Sequence, residues 1–187
     1  MISRTAFLVV VAVRLFAQDQ EPNVVFGTTV VIPTGLEGKI YNLRYETDRL
    51  PNFSKMKPVG TIYATSLNIP TQSFTKGFPG LSKRFEWFAI DYAGRFWAEK
   101  QGYYDFSLSS DDGANLYIDG ELVVDNDGIH ATRERTGSVR LSHGAHDIRV
   151  SYFQGPGVEL ALVLKVAPPG ERLRIFSTDE LRPPPSP

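Results

Sequence analysis

The chain has 187 residues, of which 42% are hydrophobic and 22% charged, and a formal net charge of −1. That length suits one domain with some extra at its ends, and the composition is that of a soluble chain able to build a core. A balance so near zero supplies no global field for nucleic acid or an anionic membrane, and no basic stripe interleaved with aromatics is present. Cysteine is absent, which excludes disulfides and thiol chemistry and leaves the core to hold the fold unaided.

Residues 1–17 read as a secretory signal peptide. Arg4 is the positive start, Ala6 to Val13 the apolar stretch and Leu15-Phe16-Ala17 the cleavage region, although Arg14 is unusually placed. The apolar run is too short for a transmembrane helix, which needs about 20 residues, so no membrane span is expected. Residues 18–34 form an N-terminal extension with a strand over Asn23 to Ile32, closed by Pro33. Gly38 to Tyr41 predicts a second short strand. Residues 42–58, with Pro51, Pro58 and mixed charges, predict a long loop packed on the body by Leu50, Phe53 and Met56. Val59 to Ile69 reads as one strand and Gly77-Phe78-Pro79-Gly80 as a turn. Arg84 to Ile90 is apolar on both faces, as a doubly buried strand is, and Arg95 to Glu99 predicts a further strand.

The stretch from Tyr103 to His130 is the most informative. Phe106, Leu108, Leu116, Ile118, Leu122 and Val124 alternate with polar residues, the period of half-buried strands. Asp119-Gly120 suits a two-residue type I′ hairpin turn. Ser110-Asp111-Asp112-Gly113 predicts a second hairpin with two adjacent carboxylates at its tip, and Asp125-Asn126-Asp127-Gly128 a third acidic loop. Ser138 to Leu141 and Asp147 to Phe153 read as a pair joined through residues 142–146. A tight loop, Gln154-Gly155-Pro156-Gly157, precedes the apolar strand Val158 to Val166. Residues 168–187 hold an edge segment, Arg172 to Phe176, and a Pro-rich tail. So many short strands with regular turns predict an all-β fold, an antiparallel β-sandwich or barrel.

Clustered carboxylates on turns suit a hard cation such as calcium, and they equally suit turns whose short side chains bond nearby backbone N–H groups. Both readings stand for Asp111 and Asp112. The Asp125–Gly128 string lacks the downstream Glu of an EF-hand and reads first as a turn. His143 and His146 have a zinc-like spacing but no third ligand in sequence, and read as a surface turn. Trp87, Trp97, Tyr103 and Tyr104 read as core. Tyr117, out of phase with inward Leu116 and Ile118, is the best candidate for an exposed aromatic that stacks on a sugar, with Phe153 next. No nucleophile elbow, phosphate loop or dinucleotide fingerprint is present. Glycosidase carboxylates flank a cleft about 5–10 Å apart, unlike two neighbours in sequence. The chain does not read as an enzyme.

The segment FSLSSDDGANLYIDGELVVDN (106–126) resembles the core signature of the PA14 domain family, the β-barrel of protective antigen, glycosidases and fungal adhesins. GLEGKIYN (35–42), RFEWFAIDYAGRFWAEKQGYYDF (84–106) and HDIRVSYFQGPGVELALVL (146–164) resemble its flanking strands, so the resemblance covers residues 35–167. In the calcium-dependent adhesin branch, an Asp-Asp pair joined by a cis peptide holds a calcium ion that binds sugar hydroxyls. Asp111-Asp112 matches that pair. A regular strand would send neighbouring side chains to opposite faces, whereas a cis bond turns both to one side. The resemblance also implies a second loop, here residues 152–157, with Gln154 where the branch carries Asn. The carbonyls of Pro156 and Val158 complete the metal site, Asp127 assists, and the Gly155–Val158 loop sets selectivity. The implied protein is a secreted or periplasmic, single-domain module that binds a glycan through calcium. The alternative is a metal-free scaffold that contacts another exported protein.

Overall fold

The computed structural model describes residues 26–183. The expected signal peptide, the first part of the N-terminal extension and the end of the Pro-rich tail lie outside them. The strands are β1 (Leu36–Asn42), β2 (Gly60–Ala64), β3 (Asn68–Ser73), β4 (Phe88–Ala98), β5 (Gly102–Asp111) and β6 (Ala114–Ile118). They continue with β7 (Glu121–Asn126), β8 (Arg133–Leu141), β9 (Gly144–Gln154), β10 (Glu159–Ala167) and β11 (Arg174–Ile175). They form two antiparallel sheets, one in the order β2-β1-β4-β9-β6-β7 and one in the order β11-β10-β5-β8, with β3 also paired to β10. A single 3-10 turn, Phe53–Lys55, is the only helical element among the described residues. The fold is the all-β antiparallel sandwich that the alternation predicts.

The core lies between the sheets. From the first come Ile40, Ile90, Tyr92, Val150 and Leu116, and from the second Phe106, Leu108, Leu162 and Leu164, all fully buried. Each such side chain contributes about 1.5–3 kcal/mol by leaving water. An aromatic cluster of Phe26, Phe74, Phe78 and Phe88 plugs one end, with the Phe78 and Phe88 rings 4.9 Å apart and edge-on. At the β7–β8 seam the sheets close tightly. A Cβ on Gly137 would stand 2.0 Å from the Val123 carbonyl oxygen, so only glycine permits that approach. Outside the first sheet a second cluster unites Tyr41, Leu43, Phe53, Trp87, Ala89 and Phe153 with Leu50 and Met56. The loop of residues 42–58 therefore packs down through Leu50, Phe53 and Met56, as its apolar residues predict.

Several elements depart from the sequence reading. The N-terminal strand reduces, among described residues, to one bridge between Thr28 and Tyr63, and Val30 and Val31 are 69% and 63% exposed. The Thr28 hydroxyl accepts the Val30 N–H at 3.2 Å, a local bond that competes with a ladder. Residues 59–69 are two strands rather than one, because the chain leaves the first sheet after Ala64 and joins the second at Asn68. The two strands expected at 84–90 and 95–99 are one, β4, entered through Trp87 at a φ of 54°. Asp119 and Gly120, at φ of 50° and 83°, do form the β6–β7 hairpin turn. The other two expected hairpins do not form. β5 and β6 lie in different sheets, as do β8 and β9, so residues 112–113 and 142–143 are crossovers. Alternation reports which side of a strand faces the core but not which strand lies beside it.

His143 and His146 part company at the second of these crossovers. His143 lies edge-on to Trp97 at 5.1 Å. His146 is buried, with Nδ1 2.6 Å from the Asp119 carboxylate and Nε2 2.9 Å from the Ser142 carbonyl. Burial pulls its pKa down, but the Asp119 hydrogen bond and the Ser142 carbonyl outweigh that and hold it above the ordinary 6.5. Two acceptors on two ring nitrogens suit the imidazolium. A histidine with a raised folded pKa stabilises fully below its unfolded pKa and loses that contribution as pH rises through the folded one. Melting scans from pH 6 to 9 should therefore show a falling melting temperature in the native chain and a flatter profile in His146→Gln.

Candidate functional site

Three crossovers between the sheets meet at one end of the sandwich: β5 to β6 at Asp112-Gly113, β7 to β8 at residues 127–132, and β9 to β10 at residues 155–158. Asp112 joins them. Its Oδ1 accepts the His130 N–H at 3.0 Å and its Oδ2 accepts the Gly155 N–H at 2.8 Å. Asp111, the last residue of β5, accepts the Thr132 hydroxyl on Oδ2 at 3.3 Å. Its backbone carbonyl lies 2.7 Å from the hydroxyl of Tyr152, which also lies 2.5 Å from Gln154 Oε1. The Asp111–Asp112 peptide bond is cis. Both carboxylates line one cavity of about 320 Å³, bounded elsewhere by the Ile129–Ala131 and Pro156–Glu159 segments.

Gly113 makes this crossover possible. A Cβ there would stand 2.4 Å from the Phe153 ring and 2.8 Å from the Gly128 nitrogen. Overpacking of this kind costs about 1–3 kcal/mol. Gly113→Ala should lower the melting temperature by several degrees in a thermal scan, at about 2–4 °C per kcal/mol for a chain of this size, and should disturb the Asp pair directly.

Burial, then the adjacent Asp112 charge, pushes the Asp111 carboxyl above the usual carboxylate range. Burial also raises Asp112, against the Gly155 and His130 N–H bonds that lower it. Burial, then the charges of Asp112 and Asp111, drives the Tyr152 hydroxyl well above the ordinary tyrosine range, so it stays protonated and donates. Asp111 is 9% exposed, and its Oδ1 has no hydrogen-bond partner among the described residues. Each carboxylate oxygen offers two lone pairs, so Asp112 also keeps acceptor capacity beyond its two N–H bonds. No group of three or more His, Cys, Asp or Glu gathers as a metal cage among the described residues. A cation at this pair would take two carboxylates plus carbonyl or water oxygens, a donor set that fits calcium rather than zinc.

The PA14 domain family matches residues 49–178, well over half of the chain. The chain belongs to the PA14 domain family. Among solved structures, it is similar to a PA14 sugar-binding domain from an RTX adhesin, at 18% identity and a TM-score of 0.63, over 78% of this chain and 96% of that one. The PA14 domain of the antifreeze protein MpAFP aligns at 16% identity and a TM-score of 0.65, over 78% and 88%. The epithelial adhesin 9 A domain of Candida glabrata, in complex with Galβ1-3GlcNAc, aligns at 15% identity and a TM-score of 0.56, over 82% and 91%. At these identities the likeness is one of fold. A curated relative, a probable beta-glucosidase I of Aspergillus clavatus, is 36% identical over 83 residues, 39% of this chain and 10% of that protein. The match thus spans about a tenth of the length of that relative.

In this PA14 domain, Asp111, Asp112, Pro156 and Val158 come together at the cavity, and Gly155 supports it through its N–H. Gln154 does not face the cavity. It is 1% exposed, with Oε1 toward Tyr152 and Nε2 donating to the Glu159 carbonyl at 2.9 Å. Its place on β9, two residues from inward Tyr152, turns it into the core. The Val158 carbonyl accepts the Phe74 N–H at 2.6 Å, which ties it to a neighbouring segment. Asp127 is directed away. Its Oδ1 accepts the N–H groups of Leu50 at 2.9 Å and Gly128 at 2.8 Å, so it anchors the 42–58 loop as a turn residue. Tyr117 lies on the outer face of the first sheet, beneath the Arg149 guanidinium at 5.4 Å, rather than at the cavity. Phe153 is fully buried in the second cluster, and Tyr103, expected in the core, is 67% exposed.

The sequence does not single out Thr132 or Ile129, and it places Tyr152 in the second loop without its role as a donor beneath Asp111. Tyr152 was accessible from its inward, period-2 position two residues before Gln154. Thr132 and Ile129 carry no local signal, because only the fold of the β7–β8 connection onto Asp112 brings them in. Among described residues, no helix is long and apolar enough to cross a membrane.

Proposed function

We propose that this PA14 domain is an exported carbohydrate-binding module that takes sugar hydroxyls through a calcium ion held by Asp111 and Asp112, without turnover. The observation that carries this reading is Asp111 Oδ1, an unpartnered oxygen on a carboxylate 9% exposed, beside Asp112 in one cavity. With no protein donor on it, that oxygen opens to the cavity and is free to ligate a cation. The names of two relatives, a sugar-binding PA14 domain and an adhesin domain in complex with a disaccharide, support the same ligand class. The signal pattern of residues 1–17 supports export, into compartments where sites with Kd of about 10⁻⁴–10⁻³ M are useful. A calcium ion held by Asp111 and Asp112 would supply open coordination positions for sugar hydroxyls. The chain's own part is to hold two carboxylates on crossovers locked by Tyr152, His130 and Gly155, and to shape the wall with Pro156 and Val158.

A second reading, a metal-free scaffold for another exported protein, is favoured by one observation: both Asp112 oxygens already bond backbone N–H groups, as turn residues do. Thermal melting with excess Ca²⁺ against EDTA separates the two. Free calcium at 100 times Kd stabilises by about 2.7 kcal/mol, a rise of roughly 5–11 °C for a chain of this size. Absence of any rise at 10 mM Ca²⁺ would favour the scaffold. A rise would be followed by glycan-array screening in calcium and in EDTA.

A further inference from the structure

The wall around the carboxylate pair is chemically lopsided. Ile129 and Val158 come from two different crossovers, line the same cavity as Asp111 and Asp112, and remain 48% and 44% exposed. Between them the wall is made by Ala131, Pro156 and Gly157, whose side chains offer no hydrogen bond. His130 adds none, since its ring nitrogens lie 3.0 Å from the Ala131 carbonyl and 2.9 Å from the Asn126 carbonyl. The remaining wall residue, Glu159, is an exposed third acid.

Resting on the calcium reading above, we propose that the ligand is a neutral sugar with an apolar edge, of the 6-deoxyhexose class, selected by Ile129 and Val158. Hydroxyls directed to the ion fix one side of the ring, and the rest of the ring then lies along the aliphatic wall. There a methyl group is covered by Ile129 and Val158, whereas a hydroxymethyl group gives up water without gaining a side-chain partner. One divalent cation offsets Asp111 and Asp112 and leaves Glu159 uncompensated, so a uronate meets a like charge.

NMR titration of the calcium-loaded full chain with methyl glycosides of D-fucose, D-galactose and D-galacturonate tests this, together with the D-quinovose, D-glucose and D-glucuronate series. Within each series only C6 changes, from methyl to hydroxymethyl to carboxylate. The expected order is deoxy tightest, by about fourfold over the hydroxymethyl sugar, with the uronate weakest. The double variant Ile129→Ser/Val158→Ser should lose that preference and keep the calcium-induced rise in melting temperature. Equal or reversed affinities, or no binding in either series by a chain that calcium does stabilise, would overturn this inference alone. No calcium-induced rise in the native chain would overturn the reading beneath it as well.

Discussion

Replacing Asp111 with Asn is expected to raise the melting temperature of the calcium-free protein and to abolish its response to calcium. Asp111 is 9% exposed beside a second carboxylate, and burial and the Asp112 charge both push its pKa up. A carboxyl with a raised folded pKa binds its proton more tightly in the native state. The native chain should therefore lose stability as pH rises from the unfolded carboxyl pKa through the folded one, and stay lower above it. Asn is neutral at every pH, retains an amide oxygen for the Thr132 hydroxyl and removes the repulsion. In EDTA at pH 7 its melting temperature should exceed that of the native chain by a few degrees, and its profile across pH 4–7 should be flatter. Asp112→Ala should behave oppositely. It strips the acceptor from the His130 and Gly155 N–H groups, and each unsatisfied group costs about 1–3 kcal/mol. Loss of the calcium response in Asp112→Ala alone would therefore not distinguish a ligand from a structural clasp. Asp111→Asn distinguishes them, and a lowered melting temperature for it in EDTA would refute the account of Asp111 as a group held at a stability cost.

Asn126→Ala should produce the largest loss of stability near the site. Asn126 is fully buried at the end of β7, and its side chain is satisfied on both sides. Its Nδ2 donates to the Ser110 hydroxyl at 2.9 Å and to the Arg133 carbonyl at 3.0 Å, and its Oδ1 accepts from Arg133 Nε at 2.7 Å. One amide thus stitches the edge of the first sheet to β5 and β8 of the second, immediately beneath Asp111. Truncation leaves two or more of these groups without a partner, at about 1–3 kcal/mol each. Chemical denaturation should show a loss of roughly 3–5 kcal/mol with an unchanged m-value. A loss under 1 kcal/mol would mean that water replaces the amide, and that the seam does not depend on it.

The amino-acid sequence by itself determined the class of the fold, the inward faces of its strands and the pair of acids. Alternation at Phe106, Leu108, Leu116 and Ile118 marks core faces because a strand's side chains must point to one face or the other. Asp119-Gly120 marks a hairpin because few residues accept its positive φ angles. Tertiary structure decided which strands are neighbours, and with them the site. Ser110–Gly113 and residues 142–146 look locally like hairpins, yet each carries the chain from one sheet to the other, a choice set by packing between layers that no short segment encodes. The same packing brought Thr132 and Ile129 to Asp111 and Asp112 from the β7–β8 connection, and took Gln154, Asp127 and Tyr117 away. Gln154 and Asp127 found nearer partners in Tyr152 and the Leu50 N–H, and Tyr117 lay on the far face of its sheet. A polar side chain bonds the groups that the fold sets within its reach, and that reach is fixed only when distant strands meet.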